Sequence, residues 1–257
     1  MRDRLDQHHA IIAARQAART IILRYYHHLD QYEWKEDLTP VTIADRKAEQ
    51  AIREILEKAF PNDGMIGEEL PNKQATGAFS WIIDPIDGTK SFICGVPVFG
   101  SLIGLAKDGQ PLFGSVDHPA LDCCWTGGTT CPTRMNGMQV STRGCKKLRE
   151  AVLCSTTPEM FITEDEQARF QTLARMVRFT RYGLDCYHYG LLASGKVDLV
   201  VEAQLKPYDF MAPAAVVLGA GGAVSDWQGN PIGISSNGQL VAAANQDLLE
   251  QALEVLG

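Results

Sequence analysis

One apolar segment that leads straight into two aspartates constrains this chain more than any other feature. Residues 81–83 have the character of a buried strand, and Asp84-Pro85-Ile86-Asp87-Gly88-Thr89 follows at once. Pro85 forces an extended turn, so Asp84 and Asp87 can point toward the same space. Hard divalent cations such as Mg²⁺ prefer oxygen ligands, and two cations need several carboxylates, at least one of them bridging. The segment therefore predicts a metal site at the end of a core strand.

Neighbouring groups can complete such a site. The Ile86 carbonyl can fill a coordination shell, and Gly88-Thr89-Lys90 could expose backbone N–H groups at a helix start, which suits a phosphate. Further carboxylates stand in Gly67-Glu68-Glu69 and at Asp209. Each segment also has a plainer interpretation: Asp87-Gly88 is a common turn, Glu68-Glu69 can be solvated surface, and Asp209 can be a helix cap.

Strand and helix patterns interleave without a strict βαβ period, which predicts an α/β or α+β fold. Amphipathic helices are predicted at about 4–30 and at 42–59, where Thr42 is the N-cap and Asp45 and Glu49 share a face. Further strands are predicted at 79–83, 99–106, 112–117, 151–155, 178–181 and 197–202, and further helices at 163–177, 185–194, 212–218 and 247–256. A single unit, 1–257, is expected, with a possible division into a metal-binding half (1–140) and a substrate-binding half (141–257).

Composition and charge exclude several classes of protein. Of the 257 residues, 45% are hydrophobic and 21% charged, which argues against a disordered or disulfide-scaffold chain. A formal net charge of −7 argues against non-specific nucleic-acid binding. The seven cysteines, an odd number without a C-x-x-C pair, predict free thiols in a reducing compartment. With no signal-peptide pattern and no apolar run long enough to span a bilayer, the sequence predicts a soluble cytoplasmic protein without a membrane partner.

Taken together and in order, the acidic segments resemble the inositol monophosphatase family over nearly the whole chain. The family's first signature is similar to residues 81–92, Trp-Ile-Ile-Asp-Pro-Ile-Asp-Gly-Thr-Lys-Ser-Phe, and its glycine-double-acid element to Gly67-Glu68-Glu69. Its early Thr-x-x-Asp-x-x-x-Glu element matches Thr42, Asp45 and Glu49. Its late aspartate matches Asp209, although Tyr208 stands where tryptophan is usual, and Ala220-Gly221-Gly222 closes the helix that follows.

The resemblance implies a layered αβαβα sandwich, a homodimer, dependence on two or three Mg²⁺ ions, and hydrolysis of a small phosphate monoester by water without a covalent intermediate. One Mg²⁺ is then expected on Glu68, Asp84 and the Ile86 carbonyl, and a second on Asp84, Asp87 and Asp209. Glu68 and Thr89 are expected to orient the water, Asp45 to support the Thr89 hydroxyl, and the Gly88 and Thr89 amides to hold the phosphate. A non-catalytic binding protein is disfavoured because all of these side chains are present. His8, His9, His27 and His28 are expected at the surface rather than on a metal.

Substrate choice is expected in the second half of the chain. Asp185 stands where the family usually has a small neutral residue, and the run Asp185-Cys186-Tyr187 resembles the histidinol-phosphate phosphatase branch, although Leu184 replaces a second glycine. A carboxylate there could pair with the ammonium group of L-histidinol phosphate, and Glu202 could be a second acceptor. Asp185 could instead only cap the following helix, and Cys186 is expected to be a small buried residue. An inositol-1-monophosphatase or a broad sugar-phosphate phosphatase remains the alternative.

Overall fold

The computed structural model describes residues 4–26, 33–34 and 40–257. The helices in these ranges are α1 Arg4–Tyr26, α2 Ile43–Ala59, α3 Thr89–Ile93, α4 Glu164–Met176, α5 Tyr187–Ala193, α6 Pro207–Gly219 and α7 Gln246–Leu256. The strands are β1 Glu33–Trp34, β2 Pro40–Val41, β3 Gly64–Gly67, β4 Phe79–Asp87, β5 Gly100–Lys107, β6 Gln110–His118, β7 Cys123–Gly128, β8 Cys131–Met135, β9 Met138–Gln139, β10 Val152–Cys154, β11 Phe179–Arg181, β12 Leu199–Glu202, β13 Ala223–Ser225 and β14 Leu240–Ala243.

Two mixed sheets form the frame of the molecule. The larger sheet has the order β3-β4-β5-β6-β7-β8-β9, in which β3 is parallel to β4 and every later pair is antiparallel. The smaller sheet has the order β11-β10-β12-β14-β13, and β10 runs parallel to both of its neighbours. A short β1-β2 pair stands apart from both sheets.

Helices cover the outer faces of both sheets and fill the space between them. Helices α1 and α2 pack on one face of the larger sheet, and α6 packs on its other face together with α5. Helix α5 also contacts β12 and α6 contacts β13, while α4 and α7 pack against each other and against the smaller sheet. The layer order is therefore αβαβα, as the family resemblance predicts.

The core is built from the alternation of strand side chains. On β4, Trp81 and Ile83 join the cluster that includes Ile11 and Ile52 of α1 and α2, whereas Ile82 faces the cluster around α6. Each of these side chains is at most 2% exposed. Burying a side chain of this size stabilises the fold by about 1.5–3 kcal/mol, so both faces of β4 hold the strand in place. The C-terminal end of β4, which carries Asp84 and Asp87, is therefore held between the two hydrophobic clusters.

The predicted starts of two helices are confirmed, and both are capping boxes. A reciprocal Thr42–Asp45 capping box opens α2, and the same motif at Thr163 and Glu166 opens α4. On α2 the buried apolar stripe is Ala44, Ala48, Ile52 and Leu56. The predicted first helix ends at Tyr26, and its continuation to residue 30, with Leu29, His27 and His28, lies outside the described residues.

Two expectations about strands and helices are wrong. Asp84 does not end its strand, because β4 continues through Asp87. Asp209 does not precede its helix, because α6 begins at Pro207 and includes Asp209 in its first turn. The proposed division near residue 140 falls between β9 and β10, but independent halves stay a prediction.

Other expectations concern exposure and chemistry. All seven cysteines are free thiols, and Cys186 is buried. His9 is exposed, and the side chain of His8 lies outside the described part of the structure. In the described ranges, no helix combines the length and the apolar character that a bilayer crossing requires.

Candidate active site

A β-bulge brings Asp84 and Asp87 to the same side of the larger sheet. Residues three apart on a regular strand point to opposite faces. Here Asp84 pairs with Leu102 and Asp87 with Gly100, so Pro85 and Ile86 together oppose a single residue of β5. The extra residue reverses the alternation, and both carboxylates point to one site.

Asp209 completes the cluster from the other side. Carboxylate oxygens of Asp84, Asp87 and Asp209 all lie within 4.8 Å of one another. Pro207 opens α6, and Asp209 Oδ2 accepts a hydrogen bond of 2.6 Å from the backbone N–H of Lys206. Asp209 therefore stabilises the start of α6, as the plainer interpretation suggests, and also presents its carboxylate to the cluster.

The cluster has the properties of a site for a hard cation. Asp84 is 2% exposed, and its Oδ1 has no hydrogen-bond partner among the described residues. Burial, together with the charges of Glu68, Asp87 and Asp209, raises the pKa of Asp84 well above its usual range. Three crowded carboxylates with a buried, unpartnered oxygen are costly in the absence of a cation, and an all-oxygen donor set suits Mg²⁺. Asp84, Asp87 and Asp209 thus fit a divalent metal.

The pKa values of the other two acids of the cluster, Asp87 and Asp209, are also raised. Burial, followed by the charge of Asp185, raises the pKa of Asp87 to about 7, although the Cys186 amide donates a 2.8 Å hydrogen bond to its Oδ2. Burial and the charge of Asp87 raise the pKa of Asp209 well above its usual range. Positive charge at the site would reverse both shifts, because a nearby cation favours the ionised carboxylate.

Glu68 enters the site from the parallel strand next to β4. Its backbone N–H donates to Ile83 O at 3.2 Å, and Glu68 lines the same pocket as Asp87 and Asp209. The next residues are held by buried Glu49, whose carboxylate accepts hydrogen bonds from the Glu69 amide at 2.7 Å and the Leu70 amide at 3.3 Å. Gly67 is required here, because a Cβ atom would lie 2.0 Å from Glu49 Oε1. Glu49, which the sequence placed on the face of Asp45, therefore positions the Glu68 loop.

The Thr89 hydroxyl contacts both Asp45 and the Ile86 carbonyl. Thr89 Oγ1 lies 3.1 Å from Ile86 O and 3.4 Å from Asp45 Oδ1. The other oxygen of Asp45 accepts from the Thr42 amide at 2.8 Å and the Thr42 hydroxyl at 2.6 Å. Burial, opposed by these hydrogen bonds, raises the pKa of Asp45 to about 6. The Thr89 hydroxyl is thereby fixed at the edge of the acidic cluster.

Gly88 forms the turn that presents the start of α3. Its φ of 80° is left-handed, which glycine adopts without strain, and a Cβ there would lie 2.5 Å from Asp185 Oδ2. Gly88, Thr89 and Lys90 line the pocket beside the acids. The predicted phosphate-holding amides and the predicted specificity residue are thus direct neighbours.

Asp185 does not cap the helix that follows it. The N-cap of α5 is Cys186, without a side-chain hydrogen bond. The Asp185 carboxylate instead turns to α3, where Oδ2 accepts a 2.5 Å hydrogen bond from Ser91 Oγ. Burial, opposed by Ser91 and by the charge of His188, raises the pKa of Asp185. The cap interpretation is wrong, and the carboxylate lies in the wall of the pocket.

The pocket has a volume of about 250 Å³ and contains most of the predicted residues. Its lining includes Glu68, Asp87, Gly88, Thr89, Asp185, Glu202 and Asp209, while Asp84 lies beneath it. Thr156, Met160, Tyr189 and Leu205 also line the pocket, and sequence reasoning gave them no role in it. These residues carry no chemical signature of their own, and they reach the site from α5 and from the segments that follow β10 and β12 only after the sheets have packed.

Comparisons with known proteins agree with this geometry. The inositol monophosphatase family matches residues 5–256 of the chain. The bifunctional phosphatase IMPL2 of Arabidopsis thaliana is 42% identical over 95% of this chain and 73% of its own length. A histidinol-phosphatase of Chlorobaculum parvum is 35% identical over 82% of this chain and 81% of its own length. An inositol monophosphatase structure from Zymomonas mobilis superposes with a TM-score of 0.88 at 40% identity and covers 99% of both chains.

The family match spans all of the elements that build the acidic site, from α2 to α6. The shared fold accounts for the αβαβα layers. The chain belongs to the inositol monophosphatase family.

Proposed function

We propose that this phosphatase is a Mg²⁺-dependent histidinol-phosphatase, which hydrolyses L-histidinol phosphate to L-histidinol and phosphate. The observation that carries the proposal is the place of Asp185. Its carboxylate lies in the pocket wall next to Gly88, and it is held by Ser91 rather than by helix capping. Similarity to the histidinol-phosphatases of Chlorobaculum parvum and Streptomyces coelicolor, at 35% and 38% identity, supports the same substrate.

Backbone and side-chain groups around Thr89 act on the phosphate end of the substrate. The backbone N–H groups of Gly88 and Thr89 hold the phosphate. The Thr89 hydroxyl, fixed by Ile86 O and Asp45, orients the attacking water together with Glu68. Because these groups are preorganised, little reorganisation accompanies the reaction.

Glu68, Asp84, Asp87, Asp209 and the Ile86 carbonyl would hold two or three Mg²⁺ ions. The chemistry that these cations supply is a lower pKa for bound water and stabilisation of the charge on the phosphoryl and leaving oxygens. Asp84 is the most buried of these acids, so it would serve as a metal ligand rather than as a substrate contact.

The alcohol end of the substrate meets both carboxylates and apolar side chains. Asp185 accepts the ammonium group through a charge-assisted hydrogen bond, and Glu202 adds a second negative charge. Met160 and Leu205 add apolar surface to the pocket lining, which suits an imidazole ring. Inositol phosphate has neither an ammonium nor an aromatic group to use these contacts. A cytoplasmic homodimer stays a prediction from the sequence.

A panel of phosphate monoesters tests the proposal. Wild-type enzyme with Mg²⁺ is assayed on L-histidinol phosphate, inositol 1-phosphate and glycerol 2-phosphate, with EDTA as the metal-free control. We expect kcat/KM to favour L-histidinol phosphate by at least about tenfold, the scale of one charge-assisted contact. A preference for inositol 1-phosphate would support the alternative, an inositol-1-monophosphatase similar to that of Rhizobium meliloti at 31% identity.

A further inference from the structure

A fully buried histidine stands behind the alcohol end of the site. His188 on α5 is 0% exposed, and its Nε2 lies 3.3 Å from Glu202 Oε2. Neither ring nitrogen has a hydrogen-bond partner among the described residues. Buried polar groups nearly always have a hydrogen-bond partner, so a buried imidazole without one indicates a role beyond packing.

Glu202 is otherwise firmly held from the protein side. Its Oε1 accepts from the Thr156 amide at 3.1 Å and the Thr156 hydroxyl at 2.6 Å, and its Oε2 accepts from Tyr189 OH at 2.5 Å. Burial alone would raise the pKa of Glu202, but the charge of His188 and these hydrogen bonds outweigh it, so the pKa lies below its usual range. Glu202 is therefore an ionised and oriented carboxylate that is only 3% exposed.

The surroundings of His188 argue against simple space filling. Asp185 lies three residues before it, outside α5, and the charge of His188 acts on the carboxylates of both Asp185 and Glu202. The other titratable groups that face it are Tyr189, whose ring centroid is 4.5 Å away, and His118 on β6. An apolar side chain would fill the space without leaving two ring nitrogens unsatisfied. The imidazole instead contacts Glu202 and is near enough to Asp185 for its charge to act on both acids proposed for the ammonium group.

We propose that His188 is a positioning residue for the alcohol end of the site, which acts by donating its Nε2–H to Glu202 Oε2 when substrate binds. A small rotation of either group completes this bond from the 3.3 Å separation. With Thr156 and Tyr189, the imidazole then fixes both oxygens of Glu202 in the orientation that receives the substrate. This inference rests on the proposed function, because it assumes a substrate with a polar group at its alcohol end.

Two variants separate positioning from packing. His188→Gln keeps an N–H donor of similar reach, and His188→Leu keeps a similar volume without a donor. Both are assayed on L-histidinol phosphate and on phenyl phosphate, which has no polar group to meet Glu202. We expect His188→Leu to raise KM for L-histidinol phosphate about five- to tenfold with little change in kcat, as for one lost hydrogen bond. KM for phenyl phosphate should stay within about twofold of wild type, and His188→Gln should restore most of the KM for L-histidinol phosphate.

Three outcomes would overturn the inference. They are wild-type behaviour of His188→Leu on both substrates, equal losses on both substrates, and a His188→Gln variant as impaired as His188→Leu. Failure of the proposed function is seen separately, in the wild-type enzyme, as the absence of a preference for L-histidinol phosphate. The same His188 comparison would then be made on whichever polar substrate the wild-type enzyme prefers.

Discussion

Replacing Asp185 by Asn removes one negative charge from the pocket and changes little else. Asp185 has a φ of 43°, in the left-handed region that asparagine tolerates better than most residues, so the backbone turn is preserved. The side-chain amide oxygen of Asn can still accept the hydrogen bond that Ser91 Oγ donates to Oδ2. Alanine would add backbone strain and is the poorer choice.

The magnitude follows from the contact that is lost. A hydrogen bond to a charged group contributes about 1.5–3 kcal/mol, and a neutral one about 0.5–1.5 kcal/mol. The difference, about 1–2 kcal/mol, corresponds to a five- to thirtyfold fall in kcat/KM for L-histidinol phosphate. Inositol 1-phosphate lacks the ammonium group, so its kcat/KM should change by less than about threefold or improve.

The assay compares both substrates at about pH 8, because burial raises the pKa of Asp185 and the wild-type carboxylate must be ionised. Ser91→Ala is the matched control: it removes the donor to Oδ2 but leaves the charge, and we expect a smaller loss on L-histidinol phosphate than Asp185→Asn causes. Equal losses of Asp185→Asn on both substrates would refute the ammonium contact and leave Asp185 with a structural role.

Three further predictions concern the metal cluster. Asp84→Asn should lower turnover at least about a hundredfold, while the metal-free variant unfolds at the same or a higher temperature, because a buried charge is removed; full activity would contradict the role of Asp84 as a metal ligand. Thr89→Ala should lower kcat about a hundredfold with little change in KM, and a change in KM alone would contradict its role in orienting water. The raised pKa values of Asp45 and Asp87, about 6 and about 7, mean that the metal-free folded state binds more protons than the unfolded state, so stability should fall as pH rises from about 4 to about 7. Mg²⁺ should therefore raise the unfolding temperature more at about pH 8 than at about pH 5, and an equal effect at both would count against metal binding by these acids.

The sequence predicted those parts of the structure that local chemistry determines. Thr42 with Asp45, and Thr163 with Glu166, are capping boxes that need only neighbours three residues away, and both helices begin as expected. Glu68, Asp87 and Asp209 of the resemblance also meet at one pocket, because the fold brings the ends of β3 and β4 to the start of α6.

Features that depend on pairing between distant segments were not predictable in the same way. The bulge after Asp84 exists only in the register of β4 against β5, so the sequence suggested a strand end instead. Strands β7 and β8 contain Gly127, Gly128 and Pro132, which favour turns, and were missed because their pairing in the sheet outweighs this local preference. Thr156 and Glu202 are 46 residues apart, and only the parallel alignment of β10 and β12 brings them into contact.

Central to the proposed histidinol-phosphatase activity is the claim that the pocket recognises an ammonium group beside the phosphate. The most direct measurement compares kcat/KM of the wild-type enzyme for L-histidinol phosphate and for 3-(imidazol-4-yl)propyl phosphate, which has the same ring and phosphate but no amine. The charge-assisted contact with Asp185 predicts at least about tenfold lower kcat/KM for the deaminated compound. Equal values for the two compounds would contradict the claim.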